Sequence, residues 1–339
     1  MPHFLRRRFK NKYIIIESDD WGLENSISID GINYVKKKYG VGKFTRWTTD
    51  GLETIEDISL LYKILSKFKD AFAYPPVITA NFITHNIDYN SPNSLSFIPL
   101  STINKTNTEL VDKYLEGIKN KILYPQLHGY CHYNTKKLQS FFYSNEGKAL
   151  FNTGFLLGKS TLQGNLSEFR SELSYDNLEI ENKMKLAIKE FYTVFNDYPI
   201  SIIPPHFILD RQCYHIIKNN GIKAIQASNR LLNSNGKRYR KIYFRKKNGL
   251  IWIPRNARLD PHPDYNINAE NCLLDIKRAF DAQIPAIIDF HRVNISGRYN
   301  PTYRDQSLTE LEEVLQTVLE RWPDTQFIST GELIKLCQV

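Results

Sequence analysis

Two adjacent aspartates close the first apolar run of the chain. In YIIIESDDWG, Tyr13 to Gly22, a β-forming stretch runs directly into Asp19 and Asp20. Neighbouring strand residues point to opposite faces, and a buried carboxylate without a counter-charge is costly, so a cation is the expected neighbour. The alternative is an aspartate that caps the next helix. Further along, HGYCH sets His128 and His132 four residues apart, a spacing that would bring two imidazoles to one side of a helical turn. Two histidines and one carboxylate make a facial set that suits Zn²⁺ or a similar ion and leaves positions for water and substrate. One aspartate would then ligate, and the other would stand beside it as a general base.

These residues need elements to position them. Apolar β-type runs alternate with amphipathic stretches: 13–20, 75–86, 124–134, 198–207, 222–229, 285–294 and the closing TQFISTGEL. Between them, IEDISLLYKILSKFKDAF carries Ile58, Leu61, Leu65 and Phe68 at helical spacing. Such alternation predicts a parallel sheet with βαβ connections. Seven or so units without a Gly-rich dinucleotide fingerprint favour an α/β fold of the distorted (β/α)7-8 TIM-like barrel type over a doubly wound sheet. In that architecture the site lies at the carboxyl ends of the strands. Asp19, Asp20, His85, His128, His132, His206, Ser228, Asn229 and His291 all fall there, and they include five of the eight histidines. No linker divides the chain, so residues 1–339 read as a single domain, with 86–107 as a long polar excursion.

Composition sets the outer limits. With 339 residues, 42% hydrophobic and 13% aromatic, the chain can bury a large core, which argues against disorder. Its four cysteines are widely spaced and read as reduced thiols. The basic start precedes no apolar stretch of signal-peptide length, and no run of about 18 apolar residues occurs, so a cytoplasmic protein is expected. The formal charge of +9 is partly local to GKRYRKIYFRKKNG. That patch, 237–247, reads as a solvated hairpin face or as a peripheral contact with a membrane surface; specific nucleic-acid binding is not expected.

Together, SDDWG, HGYCH, IIPPHF and IIDFH resemble the first, second, third and fifth motifs of the polysaccharide deacetylase family, also called the NodB-homology family or carbohydrate esterase family four. The similarity spans Ile14 to about Leu333, with a long insertion between the first and second motifs. It implies a distorted (β/α) barrel that removes N- or O-linked acetyl groups from a carbohydrate with a divalent metal. Zn²⁺ is the expected ion, with Co²⁺ or Ni²⁺ as alternatives. Position by position, it makes Asp19 the general base, Asp20, His128 and His132 the metal ligands, and His291 the general acid, with a backbone N–H near Pro205 and His206 holding the oxyanion.

Three departures accompany the resemblance. Gly129 stands where the family has Ser or Thr. Ile202 and Ile203 replace an arginine that would pair with the catalytic aspartate, a role Arg255 could fill from a neighbouring strand end, with Asp260 as a further pocket residue. The fourth motif has no clear match in IKAIQASNRLL. The implied substrate is an acetylated sugar or glycan, nucleotide- or lipid-linked, in surface polysaccharide synthesis. The alternatives are a catalytically impaired glycan-binding barrel that retains the metal and, last, a surface binder acting through 237–247.

Overall fold

All nine residues of the first strand, β1 (Tyr13–Trp21), are buried. Ile14, Ile15 and Ile16 are β-branched and covered on both faces, as a central strand of a parallel sheet requires. The computed structural model describes residues 7–40, 46–102, 108–163, 169, 171–174, 179–228, 231–239, 244–261 and 266–338. Within them β1 is followed by β2 (Ile78–Ile83), β3 (His85–Ile87), β4 (Phe97–Pro99), β5 (Leu123–Gly129), β6 (Ser201–Ile202) and β7 (Ala224–Ala227). Then come β8 (Arg245–Lys247), β9 (Leu250–Pro254), β10 (Ala257–Arg258), β11 (Ala286–His291) and β12 (Gln326–Phe327).

The main sheet runs β10-β11-β1-β2-β5-β6-β7-β9-β8, with β12 also on β1. Its pairings are parallel except β8 on β9, so the sheet is mixed and flanked by helices. One stretch of chain serves both sides of this order. Residues 250–254 pair with β7, Arg255 N–H donates to Ala227 O (2.8 Å), and Asn256 N–H donates to Ile287 O (3.1 Å) just before β10 joins β11. The sheet is therefore curled, and side chains of non-neighbouring strands meet inside it. Asn81 of β2 and Gln226 of β7 exchange amide hydrogen bonds of 2.8 Å.

Register decides what faces that interior. Glu17 stands beside Asp289, and Asp19 beside His291, in the β1–β11 pairing, so two alternating pairs on adjacent strands point the same way. The helix Ile55–Leu65 opens with a Thr54/Asp57 capping box and buries Ile58, Leu61 and Leu65; Phe68 lies past its end and is half-buried. The segment 86–107 is more ordered than a polar excursion: β3 and β4 form an antiparallel hairpin, and 103–107 lie outside the described residues. The four cysteines form no disulfide. Among the described residues no helix is long and apolar enough to cross a membrane.

Candidate active site

The register of β1 against β2 shifts between Ser18 and Trp21, and Asp20 takes a left-handed φ of 68°. This irregularity re-aims the second aspartate, so both neighbours are buried on different partners. A non-glycine residue at positive φ is strained and must be held by its surroundings. Arg292 does so: its Nε donates to Asp20 O at 2.8 Å, Nη2 to Leu23 O at 3.0 Å, and Nη1 to Gly51 O. Its charge is met by Asp50 at 2.8 Å and Glu53 at 3.3 Å.

Asp20 Oδ1 lies 3.1 Å from His128 Nε2 and 3.2 Å from His132 Nε2. The ligand atoms of these three buried residues all fall within 4.8 Å of one another, a group that could hold a metal ion. His128 sits on β5 and turns its Nδ1 to the carbonyl of Ile203 at 2.9 Å. His132 arrives differently from the helical turn its spacing suggested. The strand ends at Gly129, and Tyr130, Cys131 and His132 wrap around the Glu172 carboxylate, donating their backbone N–H groups at 2.6, 2.9 and 2.9 Å. His132 itself has φ 76°, and its ring packs 4.2 Å from that of His206. An anion with several backbone donors in reach folds the loop more tightly than helical hydrogen bonding would. Gly129 has φ 143°, and a Cβ there would sit 2.9 Å from both Glu172 oxygens. Glu172 thus supplies the loop contact that a Ser or Thr at 129 would otherwise give.

Asp19 is held by a guanidinium. Arg255 Nη1 and Nη2 donate to its two oxygens at 2.7 and 2.6 Å, Nε donates to Glu17 at 2.8 Å, and Nη1 also reaches Asp289 at 2.6 Å. Asn81 adds a 2.9 Å hydrogen bond to Asp19. Burial pushes the Asp19 carboxyl up, but Arg255, with smaller contributions from His128 and His291, outweighs it and holds the group below its usual value. His291 Nε2 stands 3.8 Å from Asp19, while its Nδ1 meets both Asp260 oxygens at 3.0 Å. Burial pulls His291 down, yet Asp260 overrides this and lifts it to about 9. The neighbours are thus a carboxylate and an imidazolium at neutral pH.

A cavity of about 440 Å³ opens onto Asp19, Asp20, His128, His132, His206 and His291. Arg255 and Asp260 stand behind it, 3% and 0% exposed, so they position the groups in front rather than line the pocket. Pro205 is buried, and Pro204 takes its place in the wall. Having no N–H, Pro205 cannot donate to an oxyanion, which leaves His206 as the donor of that pair. Lys237, Arg238 and Arg245–Lys247 of the basic stretch are exposed; Arg240 and Lys241, like Asn229, lie outside the described residues.

Sequence reasoning missed Glu17, Asn81, Glu172, Gln226, Asp289 and the cavity residues Arg46 and Trp47. For the strand residues a signal existed. Glu17 with Asp19, and Asp289 with His291, are polar pairs two apart inside apolar runs, the mark of one face turned to a polar interior.

No protein-family model and no curated protein sequence matches the chain. Solved structures do. The 4-α-glucanotransferase of Thermococcus litoralis superposes with a TM-score of 0.51 at 9% identity over 96% of this chain, which spans 40% of that protein. A protein from Mycobacterium smegmatis, assigned as a polysaccharide deacetylase, matches at TM-score 0.47, 9% identity, 97% of this chain and 91% of that one. The Xyl-CE4 domain of a multidomain xylanase from the hindgut metagenome of Trinervitermes trinervoides gives 0.46, 10%, 97% and 93%. At these identities the likeness is one of fold.

Proposed function

We propose that the chain, acting as one barrel domain over residues 1–339, is a divalent-metal-dependent hydrolase of the polysaccharide deacetylase family that removes an N- or O-linked acetyl group from a sugar. The carrying observation is Asp20 Oδ1 facing two imidazole Nε2 atoms at 3.1 and 3.2 Å. His128 commits its Nδ1–H to the Ile203 carbonyl, so Nε2 is the nitrogen turned to the Asp20 carboxylate and the one available to ligate an ion. The donor set of one carboxylate and two imidazoles converging on one point fits Zn²⁺, with Co²⁺ or Ni²⁺ as alternatives. When bound, such an ion would supply Lewis acidity to an acyl oxygen and to a water.

The chain's own groups supply the proton transfers. Asp19, kept ionised by Arg255, is placed to take a proton from the attacking water. His291, kept protonated by Asp260, is placed to give one to the departing amine or alkoxide. The N–H of His206 is the candidate donor to the developing oxyanion. The proposed substrate is nucleotide- or lipid-linked, within surface-polysaccharide synthesis, a reading that the formal charge of +9 supports. Arg255 beside Asp19 and Asp260 beside His291 make good the departures in the third and fourth motifs, which favours turnover over a binding barrel that merely keeps the metal.

Chelation is expected to abolish acetate release and added Zn²⁺ or Co²⁺ to restore it; full turnover by the stripped protein would overturn the mechanism. Asp19→Asn should retain the metal, measured by calorimetric titration, while losing roughly 10²–10⁴-fold in acetate release. A wild-type protein that binds zinc and releases no acetate from any acetylated sugar would leave the binding barrel.

A further inference from the structure

Around Asp260 the cations outnumber the anion. Its carboxylate meets His291 Nδ1 at 3.0 Å, Arg46 Nη2 at 3.3 Å and Arg258 Nε at 3.4 Å, and accepts from Asn294 Nδ2 at 2.8 Å. One negative charge cannot neutralise two guanidiniums and an imidazolium. Both arginines line the cavity, and Arg238 joins them there from an exposed position. The acids of the same wall are already engaged: Asp19 with Arg255, Asp50 with Arg292, and Asp20 with the two histidines. Positive charge is therefore concentrated on the arginine side of the cavity.

Arg46 carries a second sign. It is 4% exposed, its guanidinium lies 4.7 Å from the ring centre of Trp47, and its Nε is buried without a hydrogen-bond partner among the described residues. A buried guanidinium N–H left unmet points to an acceptor that arrives with a ligand. Trp47 also sets its ring edge-on against His291 at 5.1 Å, which places this group of cations beside the candidate acid. Guanidinium forks match the paired oxygens of phosphate and carboxylate, and in a partly enclosed cavity such contacts are charge-assisted and selective.

We propose that Arg46, Arg238 and Arg258 form an anion subsite that holds an oxyanion, a phosphate or a carboxylate, carried by the sugar whose acetyl group is removed. The acetyl half of this statement rests on the hydrolase reading; the anion half does not. Its test is equilibrium binding to full-length protein stripped of metal and dialysed, followed by tryptophan fluorescence. The probes are N-acetylglucosamine, N-acetylglucosamine 1-phosphate and methyl glucuronide. The phosphorylated sugar or the glucuronide should bind at least about tenfold more tightly than the neutral sugar, and which of them does so identifies the oxyanion. Arg258→Gln and Arg238→Gln, at exposed or partly exposed positions that should tolerate change, should each weaken that binding about tenfold and leave the neutral sugar unaffected. Equal affinity for all three probes, or a preference that survives both substitutions, would overturn the subsite. Acetate release from 4-nitrophenyl acetate by the zinc-loaded wild type reads the hydrolase separately. Its absence alongside anion preference removes only the reaction, and its presence without that preference removes only the subsite.

Discussion

Two acid clusters stand side by side where β1 ends, and each gathers three side chains with ligand atoms within 4.8 Å: Asp19, Asp289 and His291 in one, Asp20, His128 and His132 in the other. Geometry alone would allow either to take an ion. The first already contains its cation, because Arg255 lies 2.6 Å from both Asp19 and Asp289. No guanidinium among the described residues reaches the second, and its histidine nitrogens converge on one carboxylate oxygen. Clustered acids therefore mark a place where charge must be balanced; whether the balance is built in or imported depends on whether a guanidinium reaches the cluster.

Removing the built-in cation is the most severe way to break the comparison. Arg255→Met leaves Glu17, Asp19 and Asp289 buried without their partner and is expected to cost about 3–5 kcal/mol in urea unfolding. Unchanged stability would mean that the guanidinium is dispensable there. The next effect sharpens the division of roles. In Asp260→Asn the His291 midpoint should fall from about 9 towards the ordinary 6.5, followed by imidazole NMR. The raised value means that the His291–Asp260 pair stabilises the fold fully below about 6.5, and that this contribution is lost as pH rises through about 9. Acetate release by the variant at pH 8 should drop by on the order of tenfold, and an unshifted midpoint would sink the assignment.

The smallest effect concerns Glu17, which burial raises to about 7 against the pull of Arg255 and Thr330. Its contribution to stability is present below about 4.5 and is lost as pH rises through about 7. Glu17→Gln keeps an acceptor for Arg255, so it should flatten the pH dependence of Tm by about 2–4 °C across that window. An identical slope in the variant would show that Glu17 does not titrate there.

The strand residues were legible because β-branched runs and polar closures are local. Tyr13 to Asp20 reads as a strand ending in charge without any partner being known, and the β1 boundaries agree closely. Arg255 could be suggested only as a substitute, since its reach to Asp19 depends on the curl that brings 250–258 between β7 and β11. The path of His132 was misread because spacing alone cannot show Glu172, 40 residues on, drawing three backbone N–H groups around one carboxylate. The Asn81–Gln226 exchange, 145 residues apart, was invisible for the same reason. What sequence conveys poorly is contact created by the curl of the sheet.

Arg292 reaches the carbonyls of Asp20, Leu23 and Gly51, three points on separate turns of chain, and each grip is internal to the protein. These grips fix the backbone around Asp20 from within the protein. A seat held in this way needs little rearrangement to take an ion, so little conformational entropy is surrendered on arrival.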